Sequence, residues 1–420
     1  MSRDSVETCD VVVIGGGPAG MMAAATAAKD GARVVLLEKN AVLGKKLLIS
    51  GGGRCNVTNN KPVVREMLSS YKAEGKFLFS TFMQHGVEQT INWFAERGVP
   101  FKEENEGRLF PATEKAETIQ QALIAEMVET GVIVRKKVTV AAILKRNDTF
   151  VVTLADGTTV EAAACVVATG GVARPETGST GEGFEWLQSL GHSIVPNSYA
   201  LVPLTLKTDW TKKLSGLTLT DCKLTIRAEE KKHSVHKGKL LFTHVGVTGP
   251  TVLNVSKTIG ELLQYTPVTL QLDVLPALDA GGVDARLTEL FITESNKKVR
   301  NALSTLVPAA LAKVVLEQCQ IDDETQCNSI TKAERKTLGQ YLQAIPLPVK
   351  GLLGKDKAVV SAGGVQLEEV DFKTMQSRVV SGLYLVGDVL NINRPSGGYG
   401  LQLCWSTGFV AGQSAAKVAL

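Results

Sequence analysis

The chain has 420 residues, which is more than one hydrophobic core usually holds, so two or three domains are expected. The hydrophobic fraction is 44%, no apolar run reaches the roughly 20 residues of a membrane-spanning helix, and the charged N-terminus does not resemble a signal peptide; we therefore expect a cytoplasmic protein that does not bind a membrane. The net charge of +4 neither requires nor excludes a nucleic-acid partner, and seven scattered cysteines without a CxxC pair predict neither a metal site nor a dithiol centre.

The first predicted elements form one β-α-β unit. Asp10–Ile14 is a short apolar run rich in β-branched residues, which is typical of a buried parallel strand. A glycine turn follows, and an Ala- and Met-rich helix is predicted over Met21–Lys29. A second apolar strand, Arg33–Leu37, ends at Glu38.

The glycine turn fits the G-x-G-x-x-G pattern of dinucleotide-binding proteins through Gly15, Gly17 and Gly20. The first glycine permits the tight turn, the second lets a pyrophosphate approach the backbone, and the third lets the helix pack closely on the strand. The pyrophosphate then lies at the helix N-terminus, where backbone N–H groups are free. Glu38 follows Gly20 by 18 residues and is suited to accept hydrogen bonds from a ribose.

Helices and strands continue to alternate up to about residue 191. Helices are predicted over Glu88–Arg97 and Ala116–Thr130. Apolar runs predict strands over Ile133–Val140, Phe150–Leu154, Thr159–Glu161 and Cys165–Ala168, the last leading into Thr169-Gly170.

The pattern of predicted secondary structure changes from about His192. Antiparallel strands are predicted over Leu201–Leu206, Cys222–Arg227, Lys239–Phe242 and Val268–Val274. Val283–Leu342 is mainly helical, and Pro346 with Pro348 predicts a linker. The α/β pattern resumes with predicted strands over Ala358–Val360 and Gly382–Val386 and a final helix over about Gln402–Val418. The predicted fold is therefore an α/β Rossmann-like domain, residues 1–191 and 351–420, interrupted by an insert of strands and helices, residues 192–350.

Three features favour FAD over NAD as the dinucleotide. Val138 follows a strand where flavoproteins of this class bring backbone to the adenine, and Val166–Gly170 is similar to their strand-to-turn segment along the FAD. The third feature is the strand Leu383–Val386, which ends at Gly387-Asp388, where an aspartate typically binds the ribityl chain. The next helix, starting near Gly400, points its N-terminus at the flavin. The glycines of Gly178–Gly183 have the wrong spacing for a second nucleotide site. NADH or NADPH would therefore dock only transiently as an electron donor, or another reductant would serve.

Several sequence blocks resemble the BaiN/RdsA family of FAD-dependent oxidoreductases, which includes aminoacetone oxidase-like flavoproteins. The most specific block is Gly44–Asn59, GKKLLISGGGRCNVTN. Further matches are Gly107–Pro111, Thr177–Gly183, Leu241–His244, Thr248–Pro250 and Ala362–Val365. The resemblance implies a Rossmann-like FAD domain whose insert is a small antiparallel β-barrel with helices that cover the flavin. It also implies one of several activities: reduction of a carbon–carbon double bond in ribosomal RNA uridine or in a steroid, or oxidation of a small amine.

Candidate roles follow for several of these residues. Arg54 is suited to the pyrophosphate or the flavin edge, or else forms an ion pair that fixes its loop. Cys55 is a candidate proton donor or a buried packing residue, and His244 is a candidate acid or base or a structural histidine. The complete set of predicted FAD-binding residues is Gly15, Gly17, Pro18, Ala19, Gly20, Glu38, Lys39, Lys46, Gly53, Arg54, Cys55, Asn56, Val138, Thr169, Gly170, Gly387, Asp388, Gly400, Leu401 and Gln402.

Three functions remain open at this point. The leading hypothesis is hydride transfer from reduced FAD to an activated double bond, with uridine in ribosomal RNA as the substrate, supported by the basic run Lys231–Lys239. The second is an oxidase of a small amine such as aminoacetone, with Tyr399 and Trp405 as an aromatic wall beside the flavin. The third is a non-catalytic, redox-sensing flavoprotein. The partner is accordingly a small molecule or ribosomal RNA.

Overall fold

The chain forms two compact units in a computed structural model that describes residues 6–200, 202–229, 231–353 and 360–419. Unit 1 consists of Met1–Tyr199 and Ala358–Leu420, and unit 2 consists of Ala200–Lys357. Each unit has its own hydrophobic core. Within the described ranges, no helix is long and apolar enough to cross a membrane.

The first piece of unit 1 contains β1 Val6–Ile14, α1 Pro18–Lys29, β2 Val34–Glu38, α2 Lys45–Leu48, β3 Thr58–Asn59, α3 Val64–Ser69, α4 Gly75–Gln84, α5 Val87–Ala95, β4 Phe101–Glu104, β5 Arg108–Pro111, α6 Ala116–Glu129, β6 Ile133–Lys136, β7 Val140–Arg146, β8 Thr149–Leu154, β9 Thr159–Val167, α7 Glu182–Ser189 and β10 Ile194–Ala200. Unit 2 contains β11 Leu204–Leu206, β12 Thr218–Ala228, β13 Lys231–Phe242, β14 Gly246–Thr248, α8 Pro250–Leu262, β15 Val268–Asp273, α9 Ala280–Thr293, α10 Val299–Leu303, α11 Ala309–Gln318, α12 Lys332–Gln343 and β16 Ile345–Leu352. The second piece of unit 1 contains β17 Val360–Val365, β18 Val370–Asp371, β19 Gln376–Ser377, β20 Leu383–Leu385 and α13 Tyr399–Ala419.

The main sheet of unit 1 has the strand order β18-β19-β20-β9-β1-β2-β6, and β8 with β7 joins it through β9. The five strands from β20 to β6 run parallel. All five residues of β2 are buried, which fits a strand covered on both faces of a parallel sheet. The predicted Rossmann-like sheet is therefore confirmed, and β20 from the second piece of unit 1 lies beside β9 from the first.

The exit to unit 2 and the return from it differ from the prediction. β10 pairs with β17 in a separate two-stranded sheet, so both segments belong to unit 1 and the insert begins and ends several residues later than residues 192–350. The predicted return strand Ala358–Val360 lies outside the described residues except for Val360. The chain rejoins the main sheet farther on, where Leu385 of β20 pairs with Val167 of β9.

Unit 2 contains a closed barrel of order β11-β14-β13-β12-β15-β16, together with the helices α8 to α12. The predicted linker around Pro346 and Pro348 is wrong, because both prolines lie in β16, which closes the barrel between β11 and β15. Ile345, Leu347 and Val349 alternate with the prolines and are buried, so this segment carries the period-two pattern of a strand.

The last helix packs closely on the first through two glycines. A methyl group on Gly408 would lie 2.4 Å from the Ala19 carbonyl oxygen, and one on Gly412 would lie 2.5 Å from the Ala23 carbonyl oxygen. Only glycine therefore allows α13 to lie this close to α1. The contact fixes the position of α13 relative to the glycine turn that precedes α1.

We predict that Gly412→Ala destabilises unit 1 by about 1–3 kcal/mol, because the added methyl group meets backbone and the two helices must separate. The matched control is Gly281→Ala in α9, where the nearest atom to the new methyl group is 3.6 Å away. There we expect no loss, or a gain of up to about 1 kcal/mol. Urea unfolding measures both changes, and hydrogen exchange in α1 and α13 locates them. Equal stability of the two variants would contradict the close contact.

Candidate functional site

The candidate site lies along one edge of the main sheet, where parallel strands end together. Ile14 of β1 pairs with Leu37 of β2 and with Val167 of β9, and Val167 pairs with Leu385 of β20. The residues that follow these four strands are therefore neighbours. Ligands of open α/β sheets bind at this edge, beyond the carboxyl ends of the strands.

The glycine turn is packed on one side and open on the other. A methyl group on Gly20 would lie 1.9 Å from the Gly15 carbonyl oxygen, and one on Gly15 would lie 2.5 Å from the Ala168 carbonyl oxygen, so these two glycines bring α1 against β1 and β9. At Gly17, by contrast, nothing among the described residues lies within 4 Å of a Cβ position. Pro18 and Ala19 begin α1 directly after it. The helix N-terminus therefore faces an open space.

The Glu38 carboxylate is buried beside this turn. Oε2 accepts a hydrogen bond from the Gly16 N–H at 2.7 Å, and Oε1 accepts from the Asn40 N–H and side-chain amide, each at 2.7 Å. The Val138 N–H donates to the Glu38 carbonyl at 3.0 Å. The structure thus brings together the two residues predicted for the adenosine end.

A segment that the sequence did not assign to the first nucleotide site lies next to Glu38. The Asn40 amide donates to the Thr177 carbonyl at 3.0 Å, and Lys39 donates to the Thr180 hydroxyl at 2.8 Å and pairs with Glu182 at 3.0 Å. Lys39, predicted to bind the cofactor, is therefore engaged by this segment instead. The spacing of its glycines does not fit a second nucleotide-binding site. Only the match of Thr177–Gly183 to the family blocks indicates that the segment has a functional role.

The other end of the edge contains a buried charge cluster. Asp388 forms an ion pair with Arg394, whose side chain is only 2% exposed and also donates to the Ile392 carbonyl at 2.8 Å. Burial lowers the pKa of Lys46, while Asp388 raises it. Among the described residues, no carboxylate lies within 4.0 Å of the Lys46 ammonium. Two cations therefore share one carboxylate in this cluster. The role of Arg394 could not be predicted from the sequence beyond its position in the loop after Asp388.

The remaining residues of the edge lie beside this cluster. A methyl group on Gly170 would lie 2.9 Å from Ser179 Oγ and 4.0 Å from Lys46 Nζ, and one on Gly400 would lie 3.1 Å from Arg394 Nε. Gly400 and Leu401 are in the first turn of α13. The structure thus places the first turn of the last helix against the charge cluster, as predicted for the C-terminal half of the site.

The signature block holds the N-terminal end of α13. The Thr58 hydroxyl donates to Gln402 Oε1 at 2.6 Å, and the Trp405 indole donates to the Val57 carbonyl at 2.9 Å. The Asn56 amide, oriented so that its nitrogen donates to the Thr58 carbonyl, accepts from the Gly398 N–H at 3.1 Å. Asn56 and Gln402, both predicted to bind the cofactor, therefore use their side chains inside the protein.

Arg54 is engaged by acidic residues. Its guanidinium lies 2.7 Å from Glu104 and 3.2 Å from Glu114, and it stacks on the Phe110 ring at 4.2 Å. Hydrogen bonding to Arg54 holds the pKa of Glu104 below its ordinary range. These contacts favour the alternative role, an ion pair that fixes the loop, over a contact with the pyrophosphate.

The two candidate catalytic residues lie in different surroundings. Cys55 is fully buried, and burial raises the pKa of its thiol to about 12, which favours packing over proton donation. His244 belongs to unit 2, where it is exposed between β13 and β14. Tyr399 and Trp405 are buried among Tyr71 and Phe94 and do not form an open aromatic wall.

The residues present fit a dinucleotide with a pyrophosphate. Among the described residues, no atom lies within 4 Å of a Cβ position at Gly17 or Gly52. At Gly53 the nearest atom is a carbonyl oxygen at 4.0 Å. The Thr169 hydroxyl is buried without a hydrogen-bond partner among the described residues. The buried Arg394 and the half-buried Lys46 outnumber the carboxylate beside them, which favours an anionic ligand. Lys46, beside Gly170 and Asp388, is therefore placed to meet such an anion.

Known proteins resemble the chain along almost its whole length. Residues 9–414 match the family described as the HI0933-like protein Rossmann domain. The chain is 31% identical over 392 residues to 3-dehydro-bile acid delta(4,6)-reductase of Clostridium scindens, covering 92% of this chain and 93% of that protein. It is 30% identical over 410 residues to ribosomal RNA dihydrouridine synthase of Escherichia coli, covering 97% of this chain and 98% of that protein.

Solved structures share the fold at lower identity. A flavocytochrome c3 fumarate reductase has a TM-score of 0.54 and 18% identity, covering 99% of this chain and 79% of that chain. A 3-ketosteroid delta1-dehydrogenase from Sterolibacterium denitrificans has a TM-score of 0.55 and 13% identity, covering 98% of this chain and all of the other. At these identities the likeness concerns the fold alone.

Asp388 gives a test of the charge cluster. We predict that Asp388→Ala lowers the free energy of unfolding by about 3–5 kcal/mol, because Arg394 is left buried and unpaired. The double variant Asp388→Ala/Arg394→Met removes both charges and should regain most of this stability. If Asp388 also binds the cofactor, the double variant should still bind FAD about 5- to 150-fold more weakly than the wild type.

Urea unfolding and FAD titration of the two variants, with Arg394→Met alone as a control, separate these effects. Recovery of wild-type FAD affinity together with stability in the double variant would show that Asp388 serves only as the partner of Arg394.

Proposed function

The chain belongs to the HI0933-like (BaiN/RdsA) family of FAD-dependent oxidoreductases, and on this premise we propose that it reduces the activated double bond of uridine in ribosomal RNA. Reduced FAD, when bound, supplies a hydride for such a reaction. The relatives from Clostridium scindens and Escherichia coli are named for a reductase and for a dihydrouridine synthase. Both names describe the addition of hydrogen to a carbon–carbon double bond.

In this proposal, residues of the sheet edge hold FAD in an extended form. Glu38 accepts a hydrogen bond from the adenosine ribose through Oε2, which has a lone pair beyond its contact with the Gly16 N–H, whereas Oε1 already accepts twice from Asn40. The free N–H groups at the start of α1 and the Lys46 ammonium bind the pyrophosphate. Asp388 binds the ribityl chain, and the first turn of α13 faces the flavin ring.

The charge cluster matches this arrangement electrostatically. A pyrophosphate carries negative charge, and the cluster of Lys46, Arg394 and Asp388 has more cations than carboxylates. Ligand binding would then compensate a buried positive charge, which otherwise costs free energy in the folded protein. The Asp388–Arg394 ion pair fixes the aspartate in one position before the ligand arrives.

The observation that carries the choice of an RNA substrate is the composition of β13. This strand contains four lysines and two histidines and no acidic residue. A polyanionic substrate is favoured by such a strand, whereas a bile acid needs an apolar pocket. The oxidase of a small amine is not favoured, because Tyr399 and Trp405 pack in the core of unit 1.

The proposed proton source and the proposed electron donor are those predicted from the sequence. His244 is the proposed source of the proton that completes the reduction. NADH or NADPH is the proposed electron donor, docking transiently because the sequence carries a single dinucleotide fingerprint. The proposed site of action is the cytoplasm.

The proposal predicts that ribosomal RNA from cells lacking this protein has lost dihydrouridine, and that the wild-type gene restores it. The matched control is Gly17→Val. Gly17 has a φ of −78° and an open Cβ direction, so valine leaves the fold intact but occupies the space where the pyrophosphate approaches. We expect a folded protein without FAD that restores no dihydrouridine.

Mass spectrometry of nucleosides from purified ribosomal RNA measures the product, and absorbance at the flavin band measures FAD in each protein. An unchanged dihydrouridine content in cells lacking the protein would refute the proposed substrate.

A further inference from the structure

Strand β13 combines length with a one-sided distribution of charge. It runs over Lys231–Phe242 and pairs with β12 from Ala228 to Thr218. Its sequence, KKHSVHKGKLLF, places four lysines within the first nine residues. The sequence predicted a strand only over Lys239–Phe242. In the structure, the strand also includes the whole basic run Lys231–Lys239. We call residues Lys231–Lys239 of β13 the basic strand.

The lysines lie mainly on the outer face of the barrel. Side chains alternate between the two faces of a strand. Leu240 and Phe242 are buried inside the barrel, whereas Lys237 and Lys239 are exposed and therefore lie on the outer face with Val235. The register with β12 shifts at His233, so the next outward residue is the exposed Lys232, which pairs with Arg227. Lys232, Lys237 and Lys239 therefore share the outer face.

The neighbouring strand adds positive charge to this face. Leu224 and Ile226 of β12 are buried in the barrel, so the residues next to them, Lys223 and Arg227, point outward. Lys223 is directly opposite Lys237 in the register. Like charges at opposite positions in a sheet repel and destabilise it. Lys223 is partly compensated by Asp273 at 2.6 Å.

The lysines of the basic strand have no such compensation within the protein. Considering only residues that the structure describes, no carboxylate lies within 4.0 Å of the ammonium groups of Lys232, Lys237 or Lys239. Elsewhere in unit 2 lysines do pair, as Lys213 does with Glu317 at 2.8 Å. Among the described residues, the outer face of β12 and β13 thus has more exposed cations than carboxylates, even with the exposed Asp221 of β12 counted, and this excess favours an external anion.

Protection of a sheet edge is an alternative reason for lysines in a strand. β13 pairs with β14 only at Leu241 and Phe242, so its basic part does have an open edge among the described residues. Edge protection does not account for Lys223 and Arg227, because β12 is an inner strand that pairs with β13 and β15. Charge on both strands defines a surface rather than an edge.

We propose that the outer face of β12 and β13 binds the phosphate backbone of the RNA substrate. This inference rests on the proposed function and adds the surface that holds the RNA. The exposed residues of the basic strand include no Phe, Tyr or Trp on which bases could stack, so the contacts are ionic contacts with phosphates. The surface therefore contributes affinity and orientation, and it does not select a base.

The test compares two triple variants of the full-length, FAD-loaded protein that have the same net charge. The first changes Lys232, Lys237 and Lys239 to Gln. The control changes Lys313, Lys332 and Lys336 to Gln; these lysines are exposed on α11 and α12 of the same unit and have no ion pair within the described residues. Fluorescence anisotropy with a labelled ribosomal RNA transcript is measured over a series of salt concentrations.

We expect the first variant to bind RNA at least tenfold more weakly at low salt and to lose about 2 from the slope of log affinity against log salt concentration, because each lost phosphate contact removes about 0.7–0.9. The control should keep the wild-type slope. Melting temperature and FAD content should be unchanged in both variants.

Three outcomes would overturn the proposal. Equal affinities and slopes for the two variants would show that RNA binds elsewhere, while the proposed function stands. Self-association of the first variant with unchanged RNA affinity would assign the lysines to edge protection. If the wild-type protein does not bind ribosomal RNA, the proposed function fails together with this surface.

Discussion

The close contact between α1 and α13 is the constraint on which the candidate site depends. Gly408 and Gly412 let the last helix lie against the Ala19 and Ala23 carbonyl groups of the first. This contact brings the first turn of α13 to the edge of the sheet where the glycine turn lies. The signature block reinforces it, since Thr58 and Val57 hold Gln402 and Trp405. Two segments from opposite ends of the chain therefore form one site.

The buried charges along this edge are arranged for an anionic ligand. The edge also contains the N-terminus of α1, and no described residue lies within 4 Å of a Cβ position at Gly17. Lys46, which has no carboxylate within 4.0 Å in the described ranges, and the neighbouring Asp388–Arg394 ion pair complete the arrangement. Such a cluster is costly in an empty protein and favourable around a pyrophosphate. Arg54, by contrast, is already paired with Glu104, which favours a role in loop structure over a contact with the ligand.

Features with a local steric cause could be predicted from the sequence, and features that depend on distant partners could not. The turn at Gly15, Gly17 and Gly20 depends on close backbone contacts within one β-α-β unit. The spacing of the glycines was therefore sufficient to predict it. The partners of Arg54 and Lys39 come from loops far along the chain, and no spacing rule relates them. β16 was missed because Pro346 and Pro348 suggested a linker, although the buried residues between them alternate as in a strand.

The central claim is that the flavin held at this site reduces uridine in ribosomal RNA. A single anaerobic turnover tests it most directly: the FAD-loaded protein is reduced stoichiometrically and mixed with unmodified ribosomal RNA transcript. The proposed mechanism predicts that the flavin absorbance returns as dihydrouridine forms in an equal amount, measured by nucleoside mass spectrometry. Flavin that stays reduced in the presence of the RNA, yet is oxidised promptly by another acceptor, would contradict the claim.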